Sequence, residues 1–145
     1  MGDRYVAYVG SYTHESSKGL YLFDMDVEKG RISKRNEYEL DNPSYITISH
    51  SKKFLYSICD QGVASYAIKD DGELEQLNVA SINGMRGCHI SITKNDTYLV
   101  VSGYHDGKIT VMSLKKDGRV GDITDEVFHK GMGSIAERNF RPHIS

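Results

Sequence analysis

Short runs in which apolar residues alternate with polar ones fill most of this chain, and each closes at a turn rich in Gly, Asp or Lys. Alternation with a period of two puts one set of side chains on each face of a strand, so the pattern predicts strands rather than helices. The predicted strands fall at residues 4–12, 19–26 and 31–40, then at 44–48, 54–59, 62–68 and 73–82. A third group follows at 88–93, 98–104, 107–114 and 119–128. Gly sits in the connecting turns, where a positive φ is needed.

The groups repeat. Gly19, Gly62 and Gly107 open equivalent strands at intervals of 43 and 45 residues, and Gly30, Gly72 and Gly118 occupy equivalent turns at intervals of 42 and 46. Four strands in about 40–45 residues is the period of a propeller blade. The predicted fold is therefore all-β, a β-propeller of four-stranded blades, with strands A to D running outward from the central channel. The alternative is an all-β sandwich whose hairpins fall at this spacing by chance.

Blades are expected at about 4–41, 43–83 and 87–130, with the start of a fourth at about 141–145. The first holds only strands B, C and D, since nothing before Arg4 could form its inner strand. About three blades fall short of the usual ring of four to eight. The chain thus reads as a partial propeller, the front portion of a longer one, or as a chain that closes by association. Apolar faces left on the outer blades favour a homodimer or a strand-exchanged assembly.

Composition narrows the class further. The 145 residues are 39% hydrophobic and 26% charged, as in an ordinary globular protein, and ten Tyr with two Pro suit strands. A net charge of -2 gives no electrostatic case for nucleic acid or an anionic membrane. The apolar run at residues 5–9 is too short for a signal peptide or a membrane span, and the expected location is cytoplasmic. Cys59 and Cys88 form no CxxC pair and read as buried, unbridged thiols.

Topology sorts the connections between strands into two ends. The D-to-A and B-to-C loops share one end of the channel, and the A-to-B and C-to-D turns share the other. On this basis Arg86, Cys88 and His89 fall on one face with Arg138, Arg141 and His143. Residues 13–18, Asp60-Gln61 and His105-Asp106 join them from B-to-C loops. Loops converging on a rigid scaffold are where ligands bind. His89 and His143 head equivalent inner strands near the channel mouth, and a His of ordinary pKa can act as a general base at neutral pH. The alternative is a structural His that bonds a neighbouring loop carbonyl. His89, His105, His129 and His143 show no short ligand spacing, so no metal and no cofactor is expected.

The ordered set of motifs resembles a known family, the seven-bladed propeller lactonases of the bacterial 6-phosphogluconolactonase type. The stretches that carry the likeness begin with Tyr8-Val9-Gly10-Ser11-Tyr12-Thr13, Asn42-Pro43-Ser44-Tyr45 and Gly62-Val63-Ala64-Ser65-Tyr66. They continue through Asp71-Gly72-Glu73-Leu74, Cys88-His89-Ile90-Ser91, His129-Lys130-Gly131-Met132-Gly133 and Arg138-Asn139-Phe140-Arg141-Pro142-His143. The resemblance implies hydrolysis of a sugar lactone, 6-phosphogluconolactone to 6-phosphogluconate being the leading reaction. His143 is then the expected base, with His89 as second candidate, and Arg138 the contact for the oxyanion or carboxylate. Arg86 or Arg141 would hold the phosphate, with His105 and His129 as further substrate contacts. The expected partner is a small sugar lactone or sugar phosphate. Two other functions suit the same face: a non-catalytic propeller binding a sugar or a protein, and the cycloisomerase chemistry of a related muconate enzyme on this fold.

Overall fold

The computed structural model describes residues 5–129. Their secondary structure is all strand, in three antiparallel sheets. The first sheet has the order β1-β2-β3, from Tyr5–Gly10, Gly19–Asp26 and Arg31–Glu39. The second has the order β4-β5-β6-β7, from Ile46–Ile48, Phe54–Cys59, Gly62–Ile68 and Leu74–Ala80. The third has the order β8-β9-β10-β11, from His89–Ile92, Tyr98–Ser102, Lys108–Leu114 and Val120–Phe128. The inner strands β4 and β8 touch each other, as do the outer strands β7 and β11. Three sheets stacked face to face with like strands adjacent are successive propeller blades. Among the described residues the first blade has three strands and lacks an inner one, as the sequence predicts.

Stacking explains a departure from simple alternation. Strands β5 and β6 are buried almost throughout because neighbouring sheets cover both faces of the second sheet. Leu55, Cys59, Ala64 and Tyr66 point toward the first sheet and pack with Leu20, Leu40 and Leu74. Tyr56, Ile58 and Val63 point the other way and pack with Ile90, Leu99, Val101 and Met112 of the third sheet. The outward faces of the first and third sheets carry exposed apolar residues, among them Tyr5, Val9, Met25 and Ile32 at one end of the stack and Val127 at the other. The residue after each strand-opening glycine is buried in all three sheets. It is Leu20 in the first, Val63 in the second and Lys108 in the third.

A repeated tie locks one sheet to the next. Tyr8 on β1 donates its hydroxyl to the Gly72 carbonyl at 2.6 Å, and Tyr56 on β5 donates to the Gly118 carbonyl at 2.9 Å. Both acceptors lie in the C-to-D turn of the following sheet, where Gly72 and Gly118 take φ of 90° and 94°. Burial, with a smaller contribution from Asp96 and Asp117, pushes the Tyr56 hydroxyl up to about 12. An unfolded tyrosine ionises near 10, so the folded state holds the Tyr56 proton more tightly. Stability should therefore be intact below pH 10 and fall as pH rises from 10 through 12. Urea titrations at stepped alkaline pH should show this fall, and Tyr56→Phe should flatten it.

The C-to-D pairing carries a feature that alternation does not reveal. The register shifts at Leu22/Phe23 in the first sheet, at Ser65/Tyr66 in the second and around Met112 in the third. These bulges recur at the repeat interval and add twist to each outer strand.

Candidate functional site

The D-to-A and B-to-C loops meet at one end of the sheet stack, and a chain of polar contacts runs through them. It begins in the β1–β2 loop, where the Thr13 amide donates to Asn42 Oδ1 at 2.8 Å and the Thr13 hydroxyl donates to the same oxygen at 3.2 Å. Asn42 lies in the β3–β4 loop, buried, in the left-handed region at φ 50°. Asn is among the few residues that tolerate this conformation, because its short polar side chain bonds locally. Its Nδ2 donates to Asp60 Oδ2 at 2.9 Å in the β5–β6 loop. Arg86, from the β7–β8 loop, donates Nη1 to Asp60 Oδ1 at 3.0 Å. The Arg86 guanidinium also lies over the Tyr12 ring, 5.2 Å from its centroid, and Tyr12 in turn stacks on His14 at 5.5 Å. Charge-assisted hydrogen bonding and cation–π attraction together fix the guanidinium plane.

His89 opens β8, three residues beyond Arg86, and is half-buried with its ring 4.6 Å from that of Tyr45. The loop that leads into Arg86 is strapped from the third sheet. Lys108 Nζ donates to the Ile82 carbonyl at 2.6 Å and the Asn83 carbonyl at 3.2 Å, and Asp106 Oδ2 accepts from the Met85 amide at 3.2 Å. The lysine is 4% exposed and paired with Glu126 at 3.2 Å. At the base of the loop the Cys88 amide donates to the Ser102 carbonyl at 2.8 Å.

Of the residues singled out in the sequence, Arg86 lies in the β7–β8 loop and His89 begins the strand that follows it. His105 stands at the exposed tip of the β9–β10 loop, its ring edge-on to Tyr104 at 5.4 Å. His129 is exposed just past the outer strand β11, where its amide donates to the Gly107 carbonyl at 2.9 Å. That position follows the outermost strand of the third sheet. Arg138, Arg141 and His143 lie outside the described residues. Sequence reasoning did not single out Tyr12, His14, Asn42 or Tyr45 as site residues. The signal available for them was a place in the β1–β2 and β3–β4 loops, which topology puts at the same end as the loops of Asp60 and Arg86.

The Cys59 thiol is buried, whereas Cys88 is only half-buried. Burial pushes the Cys59 thiol above its ordinary value, which disfavours the reactive thiolate. Neither Cys59 nor Cys88 is in a disulfide. Among the described residues no three His, Cys, Asp or Glu side chains are grouped to hold a metal ion. No helix among them is long and apolar enough to cross a membrane. A groove of about 740 Å³ opens at the opposite end, between the first and second sheets, lined by Tyr8, Arg35, Lys69 and Asp71. Its arginine is already engaged by Asp24 and by the Asp71 carbonyl. The Arg86 guanidinium and the His89 imidazole lie at the other end, on the loop face.

A propeller with an anchored guanidinium and an imidazole at its loop end is the class of protein that fold and site define. Residues 6–144 match the family described as lactonase, 7-bladed β-propeller. The chain belongs to that family. It is similar to the 6-phosphogluconolactonase of Bacillus subtilis (strain 168), 36% identical across 97% of this chain and 42% of the relative. Its fold matches crystal structures of two candidate 6-phosphogluconolactonases. One, from Bacteroides fragilis, is 32% identical with a TM-score of 0.88 over 97% of this chain and 40% of the other. The second, from Bacteroides uniformis, is 28% identical with a TM-score of 0.89 over 98% and 43%. The chain therefore spans about two fifths of the length of these relatives.

Proposed function

We propose that this chain supplies part of a site that hydrolyses a sugar lactone, 6-phosphogluconolactone being the leading substrate. The observation that carries the reading is the Arg86 guanidinium held between Asp60 and Tyr12 on the face that also presents His89. Asp60 engages one of the five N–H groups of the guanidinium, and the fork geometry of the others suits a phosphate or carboxylate. Hydrolysis requires a base to take a proton from water as its oxygen adds to the lactone carbonyl. The tetrahedral oxyanion then collapses, the ring C–O bond breaks, and the ring oxygen leaves as a hydroxyl after taking up a proton. An arginine near the carbonyl stabilises the oxyanion. In this reading His143 is the base with His89 as second candidate, Arg138 meets the oxyanion, and Arg86 or Arg141 holds the phosphate. His105 and His129 are further substrate contacts.

The test is pH-stat hydrolysis of 6-phosphogluconolactone with the spontaneous rate subtracted, run on the protein and on Arg86→Ala, His89→Ala and His143→Ala. Acid release above background is expected, with kcat/KM lowered about 100-fold by loss of the base. Arg86→Ala should act mainly through KM. No release above background, with 6-phosphogluconate still raising the melting temperature, would replace the hydrolase reading with a carbohydrate binder.

A further inference from the structure

We infer that Asp60 and Asn42 form a directional hydrogen-bond relay whose role is to aim the Arg86 guanidinium at the substrate's anionic group. This inference rests on the reading that Arg86 meets that anion. From Thr13 to Arg86 the relay joins four loops that no local rule would connect, and each member has its polarity set by the one before. Asn42 Oδ1 is occupied by two donors of Thr13, so its amide cannot flip and Nδ2 must face Asp60. Asp60 then receives a donor on each oxygen, Asn42 Nδ2 on one and Arg86 Nη1 on the other. A carboxylate accepts on both sides. A neutral asparagine at 60 would instead set its own NH2 against the NH2 of Asn42 or against the guanidinium.

Positioning, as opposed to packing, has a distinctive signature here. Exchanging the two residues, Asn42→Asp with Asp60→Asn, restores the order of donors and acceptors. The carboxylate placed at position 42 would accept from Thr13 and from the new amide at position 60, whose oxygen would accept from Arg86. The charge of the cluster is unchanged, and Asp tolerates the left-handed backbone of position 42 nearly as well as Asn does.

Two readouts separate this inference from the lactonase reading. The first is the 15N spectrum of the arginine side chains, in which Arg86, assigned with Arg86→Ala, should show slowed guanidinium rotation. The second is the calorimetric affinity for 6-phosphogluconate. Asp60→Asn alone should average the Arg86 signal and weaken affinity about tenfold, with melting temperature lowered only slightly because the Asp60 side chain is half-exposed although its partner Asn42 is buried. The double exchange should bring back the slowed signal and return affinity to within about threefold of the original. The proposal is overturned if Asp60→Asn leaves the Arg86 signal slowed, or if a folded double variant fails to recover it. Loss and recovery of the signal in a protein without affinity for 6-phosphogluconate supports the relay and overturns only the substrate assignment.

Discussion

A Gly62→Ala variant is expected to lose about 4 kcal/mol of folding stability, or to fail to fold, because strain and overlap act at one position. Gly62 opens β6 with φ at 140°, a conformation that a residue with a Cβ rarely adopts. An added Cβ would also lie 2.0 Å from the Ala80 carbonyl oxygen, far inside contact distance. The obstacle is backbone at the end of the adjacent strand, so no side-chain rotation relieves it. Gly19, the equivalent residue of the first sheet, meets the Leu40 carbonyl in the same way at 2.2 Å. Gly30→Ala provides the comparison: its φ is 62°, but nothing lies within 4 Å of the added carbon. That variant should lose only about 1 kcal/mol, the cost of the backbone conformation alone. Urea denaturation of the two variants measures the difference, and a Gly62→Ala loss no larger than that of Gly30→Ala would sink the steric argument.

Lys108→Met should cost about 2–3 kcal/mol even though it replaces a buried charge with an apolar side chain. Hydrophobicity alone predicts the opposite sign, since Leu20 and Val63 fill the equivalent buried positions of the other two sheets. The deciding groups are the acceptors. The Ile82 and Asn83 carbonyls lose their ammonium donor, and Glu126 loses its counter-charge. Glu126 is one-third exposed and can turn to water, which is why the expected loss stays below that of a fully buried pair. The same substitution releases the loop that carries Arg86, so under the proposed function 6-phosphogluconate affinity should fall along with thermal stability. A variant more stable than the parent would mean that burial, not the carbonyl contacts, governs this position.

Much of the architecture was legible because it follows from local periodicity. Alternation marked the strands, and the intervals between Gly19, Gly62 and Gly107 marked the repeat. Those glycines recur for a physical reason, and at the first two it is visible as the close approach of a neighbouring strand's carbonyl. The resemblance read from the ordered motifs is borne out by the match over residues 6–144. Sorting the loops by topology placed Arg86, His89 and Asp60 on one face. The relay itself was not legible, because its links span 29, 18 and 26 residues and depend on side-chain rotamers in four separate loops. The outer-strand bulges escaped too, since a one-residue shift against a half-exposed edge strand leaves little trace in hydrophobicity. Lys108 was hidden for a related reason. A lysine inside a strand reads as a solvent-facing residue until the carbonyls that surround it are known.

Repeat proteins invite consensus engineering, in which equivalent positions are averaged across copies to make each copy more regular. At the position after the strand-opening glycine such an average would select an aliphatic residue, by a vote of Leu20 and Val63 against Lys108. The resulting third blade would look better packed and would have lost the fastening of the loop that carries Arg86. The copies are interchangeable in shape and not in chemistry, and the outvoted residue is the one that ties scaffold to site.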